Sequence, residues 1–453
     1  MAWFSDDAVC LDYIDWIRWK DRFECLSCHG SKGWRMKNGK WWRDACRNRV
    51  PATAGTIKRC LTHGVVNRYV FLLVRYLFFS LHSIFYIKRN KNRLLFVQFD
   101  SALGWAINET PVFESLKKSM PDCHITIICG KIVHEVIKNN PFVDTVILLA
   151  NPHDRFLNVL YQMIRITFFK SYDVVLTTAF NRQPRRVVLA LLSGARRCVG
   201  FSDIDGLYDK FVKYDASRSV TQNNLNALST LGIIGVNYKP RVYFTADDYS
   251  RASTLIGNNK INGSLPVCIF VTQTSGGQPS DWWPERFAQL ADYLCRTSRL
   301  QIVFIGSRAD IAGIEKIRKL MIEPSVSIAG MTDISTLAAV MCISDIAVTL
   351  DTGPMHIGTA VDLPMVLIAS AWQSPHEWLP LDNKKVTILR SNEIACKECY
   401  KYFCSTRECM EDISVRDVYS NVTRMLVAYP PSASARLQRV RDSIVSGHEP
   451  KTA

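Results

Sequence analysis

Three things are missing from this 453-residue chain, and a fourth is scarce. A signal-peptide pattern is not seen: nothing at Met1-Ala2-Trp3-Phe4-Ser5-Asp6-Asp7 looks like one. An even cysteine count is missing too. With 15 cysteines, the expected setting is reducing and cytoplasmic, and clustered cysteines read as metal-binding or structural. Charge is sparse, at 21% against 48% hydrophobic residues, which excludes a disordered chain. An acidic excess is also absent: 41 Asp and Glu face 56 Lys and Arg, for a net charge of +15. That imbalance is local. Residues 1–92 hold 17 Lys and Arg against 7 Asp and Glu, while residues 93–453 hold 39 against 34. A basic N-terminal fifth suits nucleic acid or anionic lipid. The length accommodates about three domains.

Residues 1–62 form a small module of their own. Cys25-Leu26-Ser27-Cys28 has the spacing of a zinc knuckle, with Trp34 and a second half ending at Cys46. Together with Phe4-Ser5-Asp6-Asp7, Trp19 and Thr53-Ala54-Gly55-Thr56-Ile57, this segment resembles the zinc ribbon that precedes the catalytic domain in insertion-sequence transposases. A four-cysteine ribbon needs a ligand at position 43, where Arg43 stands, so Cys25, Cys28 and Cys46 make an incomplete set. No nuclease domain follows, which argues against nucleic acid as a partner.

Residues 65–91 are apolar but not free of charge. Arg68, Arg75, His82 and Arg89 recur every seven positions and line one face of a helix. That pattern favours a helix lying in a membrane interface over one that spans it. A buried helix with snorkelling arginines is the other reading.

Beyond it, strands alternate with helices. Residues 92–250 read as one α/β unit, with strands over 93–99, 124–129, 144–149 and 173–177 and a first helix over 110–120. Residues 262–426 read as a second, with strands over 266–272, 300–305, 325–328, 345–350 and 365–368. This alternation implies two parallel, doubly wound sheets facing a cleft, where ligands sit at the carboxyl ends of strands. The tail, 427–453, is polar and reads as loosely ordered or as a terminal helix.

The stretch Asp351-Thr352-Gly353-Pro354-Met355-His356 follows the buried run 345–350 and opens a helix of small residues. A strand that turns sharply into a helix presents free amides at a positive dipole end, a place for a phosphate. The plainer reading is an ordinary strand–helix connection. Thr274-Ser275-Gly276-Gly277 is a second Gly-rich loop after a strand.

The blocks Ile328-Ala329-Gly330-Met331-Thr332-Asp333, Asp351 to His356, Leu363-Pro364-Met365-Val366 and Trp378-Leu379-Pro380 occur in the order seen in glycosyltransferase family 9, the heptosyltransferases. Trp283-Pro284-Glu285-Arg286-Phe287, Asn224-Leu225 and Ser193-Gly194-Ala195-Arg196-Arg197 extend the resemblance over about residues 93–426. It implies a GT-B fold of two Rossmann-like domains. It also implies inverting, metal-independent transfer from a nucleotide-diphosphate sugar such as ADP-heptose to a lipid-linked core oligosaccharide, at the inner face of the cytoplasmic membrane. On this resemblance Thr352 and Gly353 hold phosphate oxygens, Asp351 and His356 assist, and Thr274, Ser275 and Gly276 face phosphate. Gly330, Met331 and Thr332 border the base, and no cofactor is required.

Two further absences qualify it. The family's aspartate after Gly104, its presumed base, is Trp105 here, leaving Asp100 and Glu109 as the nearest carboxylates. A phosphate-facing lysine is replaced by Asp281, with Arg286 and Arg308 as candidates to compensate. A member that binds without transferring is therefore the alternative reading. Cys396, Cys399, Cys404 and Cys409 are spaced compatibly with a structural zinc or with a packed, reduced cluster.

Overall fold

A computed structural model describes residues 34–35, 40–42, 49–51, 76, 92–99, 102–150, 152–168, 172–179, 189–201, 208–234, 238–259, 265–274, 280–400, 404, 406–445 and 451–452. Cys25, Cys28, Cys46, Asp100, Ser275 and Gly276 lie outside these residues, as does the 65–91 helix except for the exposed, helical Tyr76. Near the N-terminus, β1 (Trp34–Arg35), β2 (Lys40–Trp42) and β3 (Arg49–Pro51) pair in an antiparallel ribbon.

The first α/β unit runs β4 (Arg93–Gln98), α1 (Leu103–Ser119), β5 (His124–Cys129), α2 (Lys131–Ile137), β6 (Thr145–Leu148), α3 (Pro152–Phe168), β7 (Val174–Thr177), β8 (Arg197–Phe201) and β9 (Lys210–Val212). The helix α4 (Val220–Asn226), the short β10 (Phe244–Thr245) and α5 (Ala246–Asn258) lead to the second unit. There follow β11 (Val267–Val271), α6 (Pro284–Ser298), β12 (Gln301–Ile305), α7 (Ile311–Leu320), β13 (Ser325–Ser327), α8 (Ile334–Ile343), β14 (Ile346–Leu350), α9 (Gly353–Ala360), β15 (Met365–Ile368), α10 (Pro375–Trp378) and β16 (Val386–Leu389). After α11 (Glu408–Glu411) and α12 (Val415–Ala428) the tail forms α13 (Ala433–Ser443), β17 (Ile444–Val445) and β18 (Lys451–Thr452).

Both sheets are parallel and wound the same way. The first has the order β6-β5-β4-β7-β8-β9, with β18 added outside β6; the second has β13-β12-β11-β14-β15-β16. Each is the doubly wound order in which the winding reverses between the first strand and the fourth, leaving a crevice there at the carboxyl ends. The central strands are buried apolar runs, as strands covered on both faces must be.

One device sets the register at the opposite end. An aspartate just before a strand accepts a hydrogen bond from an early amide of the neighbouring strand. Asp144, ahead of β6, takes the Ile125 amide at 2.7 Å, and Asp173, ahead of β7, takes Arg93 at 2.9 Å. Asp209 takes Cys198 at 2.7 Å and Asp345 takes Val267 at 2.9 Å. Each occupies an amide that the ladder leaves without a strand partner. Asp345 has a further partner: Arg436 of α13 reaches it at 2.9 and 3.0 Å. Buried Arg439 donates to the carbonyls of Cys342, in the last turn of α8, and Ser344, its C-cap. The tail is thus a docked helix, not a loose end, and β17 pairs with β10.

Helix α1 begins seven residues before the expected start. Pro111 sits inside it, and the Thr110 hydroxyl takes the Ile107 carbonyl that the missing proline N–H leaves open, at 2.8 Å. The sequence reading also missed β8, β9 and β16.

Candidate functional site

The strand β14 ends at Leu350, on the crevice between β11 and β14, and the chain turns through Asp351 and Thr352 into α9. Thr352 is the N-cap but forms no side-chain cap, and Pro354 has no N–H to offer. The Met355 amide turns back on the Thr352 carbonyl at 3.0 Å, and the Gly353 amide stands at the positive end of the helix dipole.

Asp351 is half-buried, and its carboxylate accepts a hydrogen bond from the Gln373 amide at 3.2 Å. Burial pushes its pKa up to about 6, with the Gln373 bond pulling the other way. Gln373 is fixed in turn, because Arg390 donates to its carbonyl at 3.0 Å. His356, on the first turn of α9, is 8% exposed, and burial lowers its pKa to about 4. Its Nδ1 lies 3.2 Å from the Asn108 amide nitrogen. Asn108 also donates to the Gly104 carbonyl at 2.8 Å and accepts from the Thr221 hydroxyl at 2.7 Å, which settles its orientation. Asn108 therefore donates to Nδ1, and the neutral imidazole carries its proton on Nε2.

These contacts cross between the units. The first turn of α1 lies on the first turn of α9, and glycines stand at two points of the contact. A Cβ at Gly104 would stand 2.7 Å from the His356 ring, and one at Gly353 would stand 2.9 Å from Leu103. Trp105 packs edge-on against Trp378 with ring centres 4.6 Å apart, and Trp378 lies 6.0 Å from His356. The Tyr214 hydroxyl donates to Glu377 at 2.5 Å, and Lys138 of the first unit meets Asp333 of the second at 3.8 Å.

The other expected residues divide. Glu109 is buried on α1. Thr274 faces Asp281, whose carboxylate takes both the amide and the hydroxyl of Thr274. Asp281 thus holds Thr274, just beyond β11. Gly330 has a positive φ of 73°, with Arg308 packed where a side chain would go, while Met331 is exposed and lines an open pocket with Asp333, Thr336 and Arg251. Arg286 does not compensate for Asp281. It lies over the Trp283 ring, as Arg407 does, and donates to the carbonyls of Met410, Glu411 and Ile413, closing the end of α11.

The zinc reading of Cys396, Cys399, Cys404 and Cys409 needs correction. Among the described residues no group of three or more His, Cys, Asp or Glu is arranged to hold a metal. None of the four is joined in a disulfide among the described residues. Cys404 sulfur accepts the Arg407 amide at 3.2 Å, and Cys409 is buried in the second unit's core. Burial raises the Cys409 thiol pKa, and its three neighbours add to that.

Asn108, Tyr214, Gln373 and Glu377 escaped the sequence reading. Asn224 was a signal for the first of them: its amide nitrogen donates to the Asn108 carbonyl at 3.1 Å.

Comparison with known proteins agrees with this architecture. The chain is 23% identical over 314 residues to the lipopolysaccharide core heptosyltransferase OpsX of Haemophilus influenzae, covering 66% of this chain and 84% of that protein. It is 22% identical over 279 residues to lipopolysaccharide heptosyltransferase 3 of Escherichia coli K12, covering 58% and 78%. Among solved structures, a family 9 glycosyl transferase from Veillonella parvula superposes with a TM-score of 0.68 at 22% identity, over 76% of this chain and 99% of that one. The E. coli heptosyltransferase WaaC with ADP-2-deoxy-2-fluoro heptose gives 0.52 at 13% identity, over 73% and 99%. Among the described residues no helix is long and apolar enough to cross a membrane. Residues 170–410, more than half of the sequence, match glycosyltransferase family 9 (heptosyltransferase), and the chain belongs to that family.

Proposed function

We propose that this protein transfers a heptose-like sugar from a nucleoside-diphosphate sugar to a lipopolysaccharide core-type acceptor, with inversion and without a metal. The observation that carries the reading is the uncapped N-terminus of α9 at the second sheet's switch point. Departure of a diphosphate leaves charge on its oxygens, and fixed donors at that place stabilise it in the transition state. Thr352 and Gly353 supply those donors, followed by the Met355 and His356 turn. Neutral His356 offers a hydrogen bond without competing for a proton. Asp351 orders the turn on the donor side. Thr274, Ser275 and Gly276 form the second phosphate-facing loop, and Gly330, Met331 and Thr332 border the base. Relatives named as heptosyltransferases, and a fold neighbour solved with an ADP-heptose analogue, support the donor class.

Residues 92–250 would hold the acceptor and residues 262–426 the donor. The basic segment 65–91 would rest on anionic lipid at the cytoplasmic face. Titration calorimetry with ADP and ADP-heptose, joined to a transfer assay on a heptose-truncated core acceptor, tests the reading. Thr352→Ala should weaken ADP about tenfold, the effect of one charge-assisted hydrogen bond. Unchanged affinity removes Thr352 from the site.

One observation favours a second reading, that of a member which binds donor without transferring. The first-unit wall opposite α9 is aromatic, with Trp105 seated on Trp378. Binding without turnover in the same experiment would select it.

A further inference from the structure

We propose that Glu377, held across the cleft by Tyr214, is the general base that takes the proton of the acceptor hydroxyl; this rests on the transfer reading above. Sugar transfer needs a carboxylate or imidazole within reach of that proton. The described part of the first unit presents Leu103, Gly104 and Trp105 to α9, none of which can accept one. The carboxylates around the cleft are otherwise committed. Asp351 stands at the α9 terminus beside the leaving group, tied to Gln373. Asp281 is turned to Thr274, and Glu109 is buried on α1. His356 gives its Nδ1 to Asn108.

Glu377 is placed differently. It lies on α10, in the connection that leaves the carboxyl end of β15, while Tyr214 follows the carboxyl end of β9. Both therefore stand on the ligand-facing edges of their sheets. The next residue, Trp378, touches Trp105 and His356, so the carboxylate is one residue from the aromatic contact over the α9 terminus. Glu377 is half-buried, and its Oε1 takes a neutral hydroxyl from the first unit at 2.5 Å. A sugar hydroxyl held by the first unit would make the same contact. The phenol marks its position.

The step balances. The acceptor hydroxyl displaces the phenol on Glu377, and its oxygen forms the new bond to the anomeric carbon. Its proton passes to Oε1. The bond from that carbon to the phosphate oxygen breaks, and the nucleoside diphosphate leaves with the electron pair, received at the α9 amides.

The test uses the full-length protein with ADP, ADP-heptose and a heptose-truncated core acceptor. Glu377→Gln keeps an oxygen for Tyr214 and so keeps the bridge. It should lower kcat about 100-fold or more while ADP affinity stays within about twofold. Added formate should restore part of the rate to Glu377→Ala, which a purely structural role would not allow. Turnover of Glu377→Gln within about threefold of the parent overturns the proposal. So does a loss confined to Asp100→Asn. A parent protein that binds ADP yet turns over no donor overturns the transfer reading itself, and the base with it.

Discussion

At the first sheet's switch point, between β4 and β7, the chain enters α1 with an apolar and aromatic first turn. At the second, between β11 and β14, it enters α9 through a threonine and a glycine with an open dipole end. The winding is the same and the endings are opposite. A doubly wound sheet offers a crevice at this place whatever its sequence; the residues of the first helical turn decide whether it binds an anion or covers one. Here the second unit presents a helix N-terminus without a side-chain cap, and the first packs Leu103, Gly104 and Trp105 against Gly353, His356 and Trp378.

The strand-capping aspartates give the largest way to separate the two units. Asp345→Ala strips the half-buried Arg436 and the buried Val267 amide of their partner, and should cost about 2–4 kcal/mol in urea unfolding. Asp173→Ala, which leaves the Arg93 amide at a more open position, should cost about 1 kcal/mol. Equal losses would show that α13 adds nothing to the second unit. Next comes the seam between units. Gly104→Val drives a side chain into the His356 ring and should cost about 1–3 kcal/mol by the same measurement. No change would mean that α1 and α9 part freely.

The third prediction concerns pH. The folded pKa of His356 lies near 4, below its unfolded value of 6.5, so the unfolded chain binds the extra proton. The neutral imidazole costs nothing at pH 7, and its burden grows as pH falls from 6.5 towards 4. His356→Asn should therefore gain on the parent by about 2 kcal/mol between pH 7 and pH 5. Asp351 works in the opposite sense: its raised pKa makes the charged form costly at neutral pH and relieves that cost below about 6. A pH-independent difference between parent and His356→Asn would place the imidazole in water. The smallest effect is expected from Trp105→Ala. Loss of the edge-on contact should cost about 1 kcal/mol and alter the emission of Trp378. Unaltered emission would show the two indoles apart.

Most of the second unit could be read from residues alone, because buried parallel strands are short apolar runs and Pro284 and Gly353 mark helix starts. The first unit was harder. Thr110-Pro111 imitates the cap and first residue of a helix, whereas α1 begins at Leu103 and carries the proline within it. Its first two turns are held by contacts from far along the chain: His356 at Gly104 and Asn108, and Asn224 at the Asn108 carbonyl. No local pattern announces those. Arg286 failed in the other direction, since its position suggested phosphate while its five-donor fork fits the open carbonyls at α11.

The sequence by itself determined the alternation that makes two doubly wound sheets, and the Thr352-Gly353-Pro354 turn that ends one strand at a helix dipole. Both follow from nearest-neighbour chemistry: apolar runs bury, and a proline withholds an amide. Only the tertiary structure decided what faces that turn. Trp105, Asn108, Tyr214, Glu377 and Arg436 gain their partners from residues 91 to 273 positions away, and such pairings are fixed by packing rather than by any spacing along the chain.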